Sequence, residues 1–133
     1  MRREPAVFYG YLADLTVAVH FMFVAFVLFG GLAALRWPLV AWVHVPSFIW
    51  GGLIEVGGWI CPLTYAENHF RMRGAEAGYQ SGFVDHYILP LIYPELLLGA
   101  AFPKSGFFWL GLFVLTFNAV IYWRLWRRRS KAA

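Results

Sequence analysis

Residues 12–35 read LADLTVAVHFMFVAFVLFGGLAAL, and only Asp14 and His20 in this stretch can ionise. At 1.5 Å per residue a helix of this length rises about 36 Å, enough to cross a hydrocarbon core about 30 Å thick. Met1-Arg2-Arg3 before it resembles the positive start of a signal peptide. The apolar run is too long for that, since signal cores span roughly 7–15 residues, and no small-x-small site leads into polar sequence. A retained first membrane helix is therefore expected.

The rest of the chain repeats the pattern. Apolar runs cover about 39–61, 83–102 and 107–126, each near the ~20 residues of a membrane span. In total 61% of the 133 residues are hydrophobic and 14% charged, against about 45–50% and about 25% in water-soluble domains. A small fold has too little interior to hide such a composition. The expected fold is an all-α membrane protein, a single four-transmembrane-helix domain. The connections Arg36-Trp37-Pro38 and Pro103-Lys104-Ser105 are short, so helix 1 should pair with 2, and 3 with 4, as antiparallel hairpins.

Charge sets the expected orientation. Arg2, Arg3, Arg71, Arg73 and the tail Arg124, Arg127, Arg128, Arg129, Lys131 would share one side, leaving Arg36 and Lys104 on the other. The positive-inside rule then places both termini in the cytoplasm, as expected of a multi-pass inner-membrane protein. The net charge of +4 is concentrated next to an apolar run, which fits contact with membrane lipids rather than nucleic acid.

The stretch from Pro62 to Gly82 is the one sizeable polar segment. Thr64-Tyr65-Ala66-Glu67 has the form of a capping box, so a short interfacial helix over about 65–73 should follow, carrying Glu67, Asn68, His69 and Arg71.

Ionisable groups inside a span are costly and mark candidate sites. Measured from the cytoplasmic face at 1.5 Å per residue, His20 lies about 12 Å deep and Glu55 about 9 Å. His86 lies about 5 Å deep, Asn118 about 9 Å and Glu95 about 18 Å. His20 and Glu55 form the sharpest pairing, read either as a proton-relay or headgroup site or as a polar lock between two helices. Glu95 follows Pro90 and Pro94, which free backbone carbonyls and kink the third span. A protonated Glu95 bonded to a freed carbonyl is the plainer account.

No cofactor is expected. His44 falls near the outer surface, while His20 and His86 differ in depth by about 7 Å, so no histidine pair suits a haem. The histidines and the single Cys61 show no metal-ligand spacing, and no metal or catalytic constellation is complete.

Leu12-Ala13-Asp14, His20-Phe21, Trp50 through Glu55 to Thr64, Glu67-Asn68, Gly78-Tyr79, Gly82-Phe83 and His86-Tyr87-Ile88-Leu89-Pro90 resemble a bacterial membrane family catalogued as domain of unknown function 2784. The resemblance covers nearly the whole chain. It implies a small integral membrane protein and brings no activity, ligand or site residue with it. The expected role is a non-catalytic accessory or interaction subunit, with a larger membrane protein complex as the candidate partner. The competing role is a small enzyme or carrier for a lipid, quinone or proton.

Overall fold

A computed structural model describes residues 3–100 and 102–132, and every regular element in them is helical. The elements are α1 (Arg3–Arg36), α2 (Val40–Gly57), α3 (Pro62–Arg73), a π-helical turn (Val84–Ile88), α4 (Leu89–Ile92), a 3-10 helix (Pro94–Leu98) and α5 (Lys104–Ala132). Among the described residues, three helices are long and apolar enough to cross a membrane: α1, α2 and α5.

Residues 83–102, expected as the third span, form a chain of short pieces. Pro90 has no amide proton to give the carbonyl one turn back, and it lies in the first turn of α4, directly after the π-helical turn. The backbone widens to the π form over Val84–Ile88, leaves helical geometry at Tyr93 ahead of Pro94, and reverses at Gly99, whose φ is 92°.

The contacts divide the chain into two compact units, 1–21 with 59–103 and 22–58 with 104–133. In the second unit the helices pack through their small residues. A Cβ on Gly51 would touch Val27 at 3.2 Å, one on Gly52 would meet Leu115 at 2.5 Å, and one on Gly111 would lie 2.7 Å from the Gly52 carbonyl oxygen. Gly30 faces His44, and Gly31 faces Asn118 and Ile121. Close approach through glycine is how membrane helices gain van der Waals contact without a hydrophobic driving force. Val27, Phe48 and Val114 are buried at the centre, with Phe23, Val45, Leu115 and Tyr122 around them.

These pairings fix direction. His44 meets Tyr122, Gly52 meets Leu115, and Val56 meets Gly111, so residue numbers rise along α2 as they fall along α5. The two helices are antiparallel. Four successive crossings would make them parallel, so this packing departs from the expected arrangement. It places the end of α2 and the start of α5 at the same end of the pair. The expected pairing of helix 1 with helix 2 is present, through Gly30 with His44 and Val27 with Gly51.

The first unit is built on the N-terminal part of α1. Tyr9 stacks on Phe70 at 6.4 Å and its hydroxyl accepts from Arg73 at 3.0 Å. Gly74 sits close enough to α1 that a Cβ there would lie 3.1 Å from the Gly10 amide nitrogen. Further along α1, Phe83 packs on His20 and Phe21.

Candidate functional site

α3 starts earlier than its capping box suggests. Pro62 occupies the first helical turn, where its missing amide is harmless, and Cys61 is the N-cap with no side-chain cap bond. Thr64 and Glu67 therefore lie inside the helix, and both are fully buried. Glu67 does not cap. It is the centre of a polar cluster.

Its carboxylate accepts three hydrogen bonds. Arg71 Nε, one helical turn on, donates to Oε1 at 2.8 Å, and the Tyr87 hydroxyl donates to the same oxygen at 2.6 Å. The Tyr79 hydroxyl donates to Oε2 at 2.7 Å. Arg71 spends its remaining donors on Tyr87 and Glu76, each at 2.8 Å. A buried carboxylate is tolerable only when its lone pairs are met in this way.

Two features hold the tyrosines in place. Asn68 clasps the backbone of Tyr79 from both sides, donating to its carbonyl at 2.7 Å and accepting from its amide at 2.9 Å. Gly78 is required there, because a Cβ would lie 2.9 Å from the Asn68 side-chain oxygen. His86 then stacks on Tyr79 with ring centroids 3.8 Å apart, and Tyr87 packs on Phe83 and Phe21. The π-helical turn places His86 and Tyr87 side by side in this cluster, and such turns recur at functional sites.

The electrostatics follow the geometry. Burial, then the hydrogen bond to Glu67, raise the Tyr79 hydroxyl well above the ordinary tyrosine value of 10.0. Burial alone would lower the Arg71 guanidinium, but the bond to Glu67 and the neighbouring Tyr87 outweigh it and raise it.

The residues singled out from the sequence distribute as follows. His20, His86 and Glu95 belong to the first unit, Glu55 and Asn118 to the second. His20 is buried, stacked on Phe83 at 3.8 Å. His86 is exposed although it stacks on Tyr79. Glu95 is exposed at the start of the 3-10 helix. Glu55 is partly buried near the end of α2. Of the loop residues, Glu67, Asn68 and Arg71 build the cluster, while His69 is exposed beside Phe70.

Asn118 is fully buried elsewhere. It donates to the carbonyls of Val27 and Val114, both at 3.0 Å. The Val27 carbonyl also faces His44 Nε2 at 3.2 Å, and His44 Nδ1 lies 2.7 Å from the Tyr122 hydroxyl. His44 is fully buried. A depth ruler based on four straight spans set it near the outer surface, far from Tyr122. The antiparallel packing removes that separation. The missed signal is helical spacing: His44, Phe48 and Gly52 form one stripe, and Gly111, Val114, Asn118 and Ile121 the facing one.

Among the described residues, no three His, Cys, Asp or Glu side chains come together as a metal-ligand group. No curated protein and no solved structure matches the chain. Residues 10–123 match the family described as Protein of Unknown function (DUF2784), and the chain belongs to that family.

Proposed function

We propose that this protein is a non-catalytic accessory or interaction subunit of the bacterial cytoplasmic membrane. In this reading the membrane is crossed by α1, α2 and α5, and the segment between α2 and α5 adds no crossing of its own. The antiparallel pairing of α2 with α5 supports three crossings over four, and with three crossings the termini lie on opposite faces.

The observation that carries the role is the saturation of Glu67. A catalytic carboxylate needs an acceptor or proton site open to a substrate. Here both oxygens are engaged by Arg71, Tyr79 and Tyr87, and the residue is fully buried. His44 is engaged at both ring nitrogens, and the Asn118 amide nitrogen ties α5 to α1, although among the described residues nothing bonds its buried Oδ1. Polar groups used this way are glue. The cluster supports a rigid helical module, resting on the start of α1, that can be presented to a protein partner.

Native mass spectrometry of the protein extracted from its own membrane in mild detergent tests the role. A partner protein retained in stoichiometric amount is the expected result. A bound quinone or substrate lipid that disappears in Glu67→Gln, with the fold intact, would overturn it in favour of the enzyme or carrier reading.

A further inference from the structure

α5 is longer than a membrane needs. Its 29 residues rise about 44 Å. From Ser105 to Trp123 it carries no charged side chain. Those residues span roughly 28 Å, which matches a hydrocarbon core of about 30 Å. The next two turns therefore lie at the level of the lipid headgroups, and they hold Arg124, Arg127, Arg128 and Lys131.

These side chains share a face. At 100° per residue, positions 123, 124, 127, 128 and 131 fall within about 140° of the helix circumference. Together they line a shallow cleft of about 260 Å³. The cleft has structure of its own, because the Arg127 guanidinium lies over the Trp123 ring, 4.5 Å from its centre. That contact holds Arg127 in place, while Trp123 anchors the helix at the interface. No acidic side chain lines the cleft.

We infer that this face is a binding site for the phosphodiester headgroup of an anionic phospholipid. Charge complementarity and depth both select that occupant. Four cations surround a cleft at headgroup level, and a guanidinium pairs with phosphate oxygens in bidentate fashion. The tryptophan beside them meets the glycerol and upper acyl region. A nucleic acid would also satisfy the charge, but it would have to approach side chains that lie among the headgroups.

The inference rests on the membrane-crossing part of the reading above and not on the accessory role. Its test uses the full chain in mild detergent, titrated with phosphatidylglycerol or with phosphatidylcholine of the same acyl chains and read by native mass spectrometry. Phosphatidylglycerol should be retained preferentially. In Arg124→Gln/Arg127→Gln/Arg128→Gln the preference should fall by roughly fivefold per residue removed. The variant should melt like the parent, because the three side chains are exposed. Equal retention of the two lipids overturns the inference, as does an undiminished preference in the variant or tail-dependent capture of a short RNA at the same concentration. A failure of that kind leaves the protein-partner result untouched, so the two proposals fall separately.

Discussion

His44 and Tyr122 meet at 2.7 Å between Nδ1 and the phenol oxygen, although 78 residues separate them in the chain. The contact is part-buried at the junction of three helices, because the Val27 carbonyl of α1 lies 3.2 Å from the other imidazole nitrogen. Together with Gly52 beside Leu115 and Val56 beside Gly111, it makes α2 and α5 antiparallel. With α1, α2 and α5 as the crossings, the termini are on opposite faces. Single cysteines at Pro5 and Lys131, each in a Cys61→Ser background, should react with a membrane-impermeant maleimide from opposite sides. Labelling of both from the same side would restore a fourth crossing by residues 83–102.

The Glu67 cluster makes a prediction about stability. Glu67→Gln leaves Arg71 facing a neutral amide in a buried setting. Breaking one partner of a buried charged pair costs about 3–5 kcal/mol. The Arg71 side chain is 18% exposed, which places the expected loss toward the lower part of that range. Tyr79→Phe removes one hydrogen bond to a charged group, about 1.5–3 kcal/mol, whereas Tyr87→Phe removes two, one donated to Glu67 and one accepted from Arg71. Thermal unfolding in detergent should rank Glu67→Gln below Tyr79→Phe, and Tyr87→Phe below Tyr79→Phe. A Glu67→Gln melt equal to the parent would mean that the cluster does not hold the module.

Much of this arrangement is legible in the sequence, and the limit has a physical cause. Hydropathy marks α1, α2 and α5 because each is an uninterrupted apolar helix. It marks 83–102 equally, since apolarity is blind to the backbone break that Pro90, Pro94 and Gly99 impose. Counting that run as a crossing gives α5 the opposite direction relative to α2, which separates Asn118 and Tyr122 from Val27 and His44. Glu67 was read through its nearest neighbours, as the last residue of a capping box with Thr64. Its actual partners Tyr79 and Tyr87 are 12 and 20 residues away, beyond the reach of a local motif. Three of the stretches that carry the family resemblance, Glu67-Asn68, Gly78-Tyr79 and His86-Tyr87, contribute to the cluster. Their co-location was not visible because no periodicity connects them.

Tyr79 gives the cluster a pH dependence. In the unfolded chain its hydroxyl ionises near 10.0, and in the folded protein well above that, through burial and the bond to Glu67. A group whose value is raised on folding contributes stability fully below its unfolded value, and that stability fades as pH climbs toward the folded one. The parent should therefore lose stability steadily above pH 10.0. Tyr79→Phe should lose less over the same interval. Melting curves recorded in parallel at neutral and alkaline pH check this. Identical alkaline losses in the two proteins would show that Tyr79 does not supply the linkage.

The glycines separate packing from mere flexibility. A Cβ on Gly111 would sit 2.7 Å from the Gly52 carbonyl oxygen and 2.8 Å from the Val56 nitrogen. Both are backbone atoms of α2, so nothing soft can move aside, and the helices themselves must separate. Overpacking of this kind costs about 1–3 kcal/mol and sometimes more. Separation would also stretch the contact between His44 and Tyr122, so the penalty should fall at the upper end. Gly82 is the control, since a Cβ there meets nothing within 4 Å and its backbone is not left-handed. Gly111→Ala should lower the melting temperature sharply, whereas Gly82→Ala should leave it near the parent value. An unchanged melt for Gly111→Ala would mean that α2 and α5 do not pack through Gly52 and Gly111, and the antiparallel register would lose its closest contact.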